Sequence, residues 1–241
     1  MNIFSNTNQG LKRISNQDNY VNKKISSKLL WSVVCDGMGG VNGGNVASAI
    51  ATETAKEFLD EKFKVGLSDE EYADIAVKTI EESNRKIFNH SQKESDLKGM
   101  GTTMVVVLIV DKKAYISHVG DSRVYLKRGD EVNQITVDHS FVQDLLNRGE
   151  ITKEEAKTHP HRNIITRSVG VYDVVKADIV MLELQKSDII VACTDGLSTY
   201  LNEEKLGELL LENDKKVADT LVNYALECGG IDNITASVIT V

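Results

Sequence analysis

Leu29-Leu-Trp-Ser-Val-Val-Cys-Asp36-Gly-Met-Gly-Gly40 decides how the chain is read. Seven residues, Leu29–Cys35, suit a strand buried on both faces, because apolar character does not alternate with polar. The run stops at Asp36-Gly37, and an aspartate is a poor strand residue that is costly to bury alone. The same abrupt change recurs. Tyr-Ile-Ser-His-Val-Gly ends at Asp121, and Ile-Ile-Val-Ala-Cys-Thr ends at Asp195. Asp232 stands against Ile-Thr-Ala at the last apolar run. Asp18 precedes a further possible strand at Tyr20–Val21. One such aspartate is an ordinary turn residue. A set of them acquires meaning if the strand ends converge.

Outward from this stretch, Asn45 to Lys64 has helical spacing through Val46, Ala47, Ile50, Ala51, Phe58 and Leu59. Ser68-Asp-Glu-Glu71 is a capping box that opens a second helix through Tyr72, Ile75, Ile80 and Ile87. Thr103–Val110 reads as a strand. Ala114–Val119, Arg123–Lys127 and Glu131–Thr136 read as a meander. Residues 139–162 are polar, with helix signals at Ser140–Arg148 and Thr152–Lys157. Strands at Val175–Leu182 and Asp188–Cys193 follow, then helices near Asn202–Leu211 and Lys215–Glu227, then a last strand at Ile234–Val241. Strands in blocks and helices in pairs suit an α+β fold, with two antiparallel sheets covered by helix pairs. No repeat, low-complexity tract or linker marks a boundary, so one domain over residues 1–241 is expected.

The chain has 241 residues, 41% of them hydrophobic, which is enough to bury a core. Its net charge is −8, which argues against a nucleic-acid partner and suits cations. The longest apolar run, Met104–Val110, is far shorter than the roughly 20 residues a membrane helix needs, and no leader pattern is evident. No membrane association is expected. Cys35, Cys193 and Cys228 are read as buried thiols in a reducing cytoplasm.

Converging aspartates would repel strongly. Two carboxylates about 4 Å apart oppose each other by roughly 4 kcal/mol at an effective dielectric of 20. Cations would relieve this, and an all-oxygen donor set selects hard ions, Mg²⁺ or Mn²⁺. Two such ions bridged by carboxylates acidify a water between them and clamp phosphoryl oxygens. Gly37, Gly39, Gly40, Gly43 and Gly44 would let the backbone after Asp36 come close to an ion. Other chemistries lack their residues. No cysteine is followed by an arginine within seven positions, as a cysteine phosphatase needs. There is no Asp-x-Asp, no Gly-x-Ser-x-Gly, no His-Glu-x-x-His and no P-loop ending. His90, His118, His139, His159 and His161 show no ligand spacing and are read as surface or structural residues.

Eight motifs in order then resemble the metal-dependent serine/threonine protein phosphatases of type 2C, in their small bacterial form. They are Arg13-x-x-Asn16-Gln17-Asp18; Val34-Cys-Asp36-Gly37-Met-Gly39-Gly40 with Gly43, Ala47 and Ser48; Gly101-Thr102-Thr103; Val119-Gly120-Asp121-Ser122-Arg123; Asp138-His139-Ser140; Ile165-Thr166-Arg167-Ser168-Val169-Gly170; Thr194-Asp195-Gly196-Leu197; and Asp232-Asn233-Ile234-Thr235. The resemblance implies a four-layer α-β-β-α sandwich with the metals at one end between the sheets. It implies Asp36 bridging two ions, the Gly37 carbonyl on the second, and Asp195 and Asp232 on the first. A third ion is implied between Asp121 and Asp195. Asp18 would act through metal-bound water, and Arg13 would bind the substrate phosphate. Residues 139–162 would be the variable flap beside the site. Where many eukaryotic relatives have a histidine after Asp-Gly, this chain has Met38. The proton for the leaving alkoxide is therefore expected from a metal-bound water first and His139 second.

The reaction so implied is Mn²⁺- or Mg²⁺-dependent hydrolysis of phosphoserine and phosphothreonine proteins, in a monomer opposed by a cognate serine/threonine kinase. Two other readings stay open. A catalytically inactive phosphoprotein-binding module would not need the repelling carboxylates. A hydrolase of another phosphoester, such as a nuclease, is disfavoured by the negative charge.

Overall fold

The computed structural model describes residues 1–211 and 215–241, with the side chains of residues 40–42 left out of the description. One sheet holds β1 (Asn2–Asn8), β7 (Arg123–Arg128), β8 (Glu131–Gln134), β10 (Ile189–Cys193) and β11 (Ile234–Thr240), in the order β1-β11-β10-β7-β8. The other holds β2 (Asp18–Lys24), β3 (Leu29–Met38), β5 (Met104–Val110), β6 (Lys113–Val119) and β9 (Asp178–Glu183), in the order β2-β3-β5-β6-β9, with the short β4 (Gly101–Thr102) added to β3. All pairings are antiparallel. Helices α1 (Gly40–Lys62) and α2 (Asp69–Ser91) cover the second sheet; α6 (Glu203–Leu209) and α7 (Val217–Glu227) cover the first. This is the expected α-β-β-α sandwich.

The continuous apolar strands have a simple cause. Trp31, Val33 and Cys35 of β3 face α1 and α2, while Leu30 and Val34 face the other sheet. That inter-sheet layer packs Leu30, Val34, Val105, Val107 and Ile116 against Val124, Leu126, Ile190 and Ile239. Strands buried on both faces cannot alternate in polarity. Helix α2 starts as expected: Ser68 accepts from the Glu71 backbone, and the Glu71 carboxylate accepts from the Ser68 N–H.

The structure corrects three readings and adds one strand. The meander does not form. β6 and β7 belong to different sheets, because the chain crosses the sandwich at Gly120, whose φ is 104°. Only the β7–β8 hairpin survives, turned at Gly129. Helix α1 begins at Gly40, before Asn45, so Gly43 and Gly44 lie in its first turns. A Cβ on Gly37 would collide with the Gly44 carbonyl, so this pair of glycines serves contact between helix and strand. β1 had no apolar signal: it is an edge strand of mixed polarity, held by seven-residue pairing to β11. Finally, Cys35 and Cys193 are buried but Cys228 is exposed, since it caps the outer end of α7. In the 139–162 segment, α3 (Phe141–Asn147) is capped by Ser140 and α4 (Lys153–Thr158) by a Thr152–Glu155 capping box. The remaining helix, α5 (Asp195–Ser198), is a single turn after β10.

Candidate active site

Elements of both sheets bring the predicted residues to one end of the sandwich. Asp18 opens β2 and lies directly opposite Asp36 of β3 in the strand register. Asp121 sits where the chain crosses from β6 to β7. Asp195 opens α5 after β10, and Asp232 lies just before β11. Arg13 comes from the connection between β1 and β2 and donates through Nη2 to Asp232 Oδ2 at 2.6 Å.

Their charges act on one another. Burial raises Asp36 well above the usual carboxylate range, and the charges of Asp18, Asp195, Asp121 and Asp232 raise it further. Burial pushes Asp18 up to about 7, opposed by hydrogen bonds from Thr235 and Thr194. Asp121 also reaches about 7, through burial first and then the charges of Asp195 and Asp138. Asp195 is raised by burial and by Asp232, against a hydrogen bond with Asp36 and the charges of Arg13 and Arg123. Two carboxylate oxygens, Asp18 Oδ1 and Asp195 Oδ1, are buried with no hydrogen-bond partner. Oxygens left this way are costly unless something else binds them.

Neutral residues that carry no charge signal in sequence build the frame. Asp18 Oδ2 accepts from Thr194 Oγ1 at 2.8 Å and Thr235 Oγ1 at 2.7 Å. Thr235 thereby spends its proton, so Thr7 must donate to it at 2.7 Å; Asn16 in turn donates to Thr7 at 2.9 Å. Asn233 Nδ2 donates to the Gln9 and Ser15 carbonyls, and its Oδ1 accepts from the Gln17 N–H, which staples the Arg13 loop to β11. Thr103 Oγ1 accepts from the Asp36 N–H at 2.9 Å and pairs with Ser122 at 2.7 Å. All of these except Thr7 and Gln9 stand inside the quoted motifs, but only the structure shows what they hold.

The buried His118 contacts the Val137 carbonyl through Nε2 at 3.0 Å, while its Nδ1 has no hydrogen-bond partner. His118 and His139 stack at 4.7 Å. His139 Nδ1 accepts from the Gly120 N–H at 3.1 Å, and its Nε2 lies 3.2 Å from Asp178 Oδ2 and 3.1 Å from Arg167 Nη1. Burial lowers its pKa, which suits a neutral ring. The ligand atoms of His118, His139 and Asp178 lie within 4.8 Å of one another, but Arg167 Nη1 holds the Asp178 carboxylate at 2.7 Å. His139 thus braces the backbone next to Asp121.

Aspartates carried by both sheets thus meet at one end of the sandwich. The protein phosphatase 2C family model matches residues 11–227, and the chain belongs to that family. It is 38% identical over 231 residues to the serine/threonine phosphatase stp of Listeria innocua, covering 95% of this chain and 91% of that one. Among solved structures, it superposes on the S. agalactiae serine/threonine phosphatase with a TM-score of 0.90 and 34% identity, covering 98% of each chain. The catalytic domain of the serine/threonine protein phosphatase PstP, solved in complex with two manganese ions, gives a TM-score of 0.84 at 32% identity, covering 98% of this chain and 96% of that one.

Proposed function

We propose that this protein is a Mn²⁺- or Mg²⁺-dependent phosphatase of phosphoserine and phosphothreonine proteins. The observation that carries the reading is the meeting of five aspartates, two of them with buried unpartnered oxygens, at the junction of two sheets. The donors are all oxygens, so they fit hard divalent ions and not Zn²⁺. Asp36, which feels the charges of four other aspartates, would hold two ions together with Asp195, Asp232 and the Gly37 carbonyl, and Asp121 with Asp195 would hold a third. Bound there, the ions would supply an acidified water and a clamp on the phosphoryl oxygens.

The chain's own groups do the rest. Asp18, fixed by two threonine hydroxyls, orients the water that attacks. Arg13 engages Asp232 through one nitrogen, which leaves donors of its guanidinium for a substrate phosphate. Met38, half-buried beside Asp36, carries no proton to give. The proton for the leaving alkoxide therefore comes from solvent at the site, not from this position. His139 Nε2 faces Asp178 Oδ2 at 3.2 Å and Arg167 Nη1 at 3.1 Å, which leaves this nitrogen to protein partners.

A cognate serine/threonine kinase, a monomeric state and a cytoplasmic setting complete the proposal. The buried thiols of Cys35 and Cys193, which burial keeps protonated, suit a reducing compartment. Among the described residues, no helix is long and apolar enough to cross a membrane. The test is hydrolysis of a phosphothreonine peptide with Mn²⁺, after exhaustive chelation, and after Mn²⁺ is restored. Activity that is lost and regained supports the reading; activity that survives chelation refutes it.

A further inference from the structure

We infer that the apolar rim formed by Leu11, Ile14 and Ile231 is a subsite for a bulky aliphatic or aromatic residue two positions from the phosphorylated serine or threonine of a substrate polypeptide. This rests on the phosphatase reading and on Arg13 as the phosphate-binding residue.

Single exposed aliphatic side chains are ordinary. These three are not scattered. Ile14, 87% exposed, directly follows Arg13, and Ile231, 53% exposed, directly precedes Asp232. Leu11, 65% exposed, is tied to the same place: its N–H donates to the Gly230 carbonyl at 2.7 Å. Its Cγ lies only 3.1 Å from where a Cβ on Gly230 would stand. The Arg13–Asp232 ion pair and the Asn233 amide lock the two loops together. The three exposed aliphatic residues therefore stand on two loops that are joined beside Arg13, and clustered apolar exposure of this kind marks an interaction surface.

The chemistry of the rim selects its occupant. Lys12 and Arg13 set two positive side chains among these aliphatics, in a chain of net charge −8. A dianionic phosphate with an apolar neighbour complements that arrangement. In an extended polypeptide, side chains two positions apart point the same way and stand about 6–7 Å apart along the strand. With the phosphate on Arg13, a side chain two residues away comes within reach of the loops that carry Leu11, Ile14 and Ile231. The binding groove for protein substrates thus starts at this rim.

The test compares phosphothreonine peptides with leucine at the second position before, the second position after, or glycine at both, using the wild-type protein loaded with Mn²⁺. At least one leucine peptide should be hydrolysed with roughly tenfold higher kcat/KM than the glycine peptide. The double variant Ile14→Ser/Ile231→Ser should lose that preference and keep wild-type activity on the glycine peptide. Equal kcat/KM for all peptides overturns the subsite but leaves the phosphatase reading intact. No hydrolysis of any peptide overturns the phosphatase reading itself. If the double variant slows every peptide equally, the rim is structural and the inference fails. It also fails if sedimentation shows a wild-type dimer that the double variant abolishes, since the rim would then join two copies of the chain.

Discussion

Asp188 and Asp195 flank the same strand, β10, and the fold treats them in opposite ways. Asp188 is 1% exposed, yet every demand it makes is met. Arg128 reaches it through Nε at 3.0 Å and Nη2 at 2.7 Å, and the Gln185 N–H donates to it at 2.8 Å. Asp195, at the other end, faces Asp36 and Asp232, and one of its oxygens has no partner. One carboxylate is spent on structure. The other is held buried against a like charge, which raises its pKa. Uncompensated charge, more than the presence of acids, separates the working end of the sandwich from the passive end.

The largest effect should come from the working end. Asp36→Asn should lower kcat on a phosphothreonine peptide by about 10³-fold or more. Its melting temperature in EDTA should be no lower than wild type, because a repulsion is relieved. A variant with wild-type turnover would erase the distinction between the two ends. Next, Arg13→Ala should raise KM for the peptide by about 10- to 100-fold, the range of a lost hydrogen bond to a charged group. Arg13→Lys should restore little of it, because a single ammonium cannot hold Asp232 and a phosphate in the same geometry.

Asp188→Ala is the mirror experiment. It should cost about 1–3 kcal/mol of stability, read as a lower melting temperature, while kcat per folded molecule stays at the wild-type value. The Arg128 side chain is 38% exposed, so water can take up its charge and the loss stays below that of a fully buried pair. An activity loss as large as that of Asp36→Asn would show that the passive end is not passive.

The smallest effect is one of pH. With metal removed, Asp18 and Asp121 stand near 7 in the fold, above the value of about 4 for an unfolded aspartate. The folded state therefore binds more protons between those values. Its stability from these groups is complete below about pH 4 and declines as the pH rises through about 7. Melting temperature in EDTA should fall from pH 5 to pH 8, and Mn²⁺ should raise it more at pH 8 than at pH 5. A profile that rises with pH would contradict the crowding of these carboxylates.

How much of this was legible in the sequence follows from what periodicity and charge report. β3 and β5 announced themselves because both faces are buried, and α2 announced its start through Ser68 and Glu71. β1 stayed silent, because Asn2–Asn8 owes its strand to pairing with β11 and not to its own pattern. The sheet assignment of β6 and β7 was equally hidden. A three-residue connection reads as a hairpin, and only the turn at Gly120 sends the chain across the sandwich. The aspartates were legible as charges in the wrong place for a strand. Thr194, Thr235, Thr103 and Asn233, which hold them there, were not, since neutral donors look the same in a site and in a turn. Cys228 misled because its apolar neighbours belong to the inner face of α7 and it does not.

The central claim is that the unbalanced carboxylates exist to hold divalent ions. Calorimetric titration of Mn²⁺ into the chelated protein tests it most directly. Wild type should take up at least two ions per chain, Asp36→Asn should lose that uptake, and Asp188→Ala should retain it. Wild-type protein that binds no Mn²⁺, or Asp36→Asn that binds as many ions as wild type, would contradict the account.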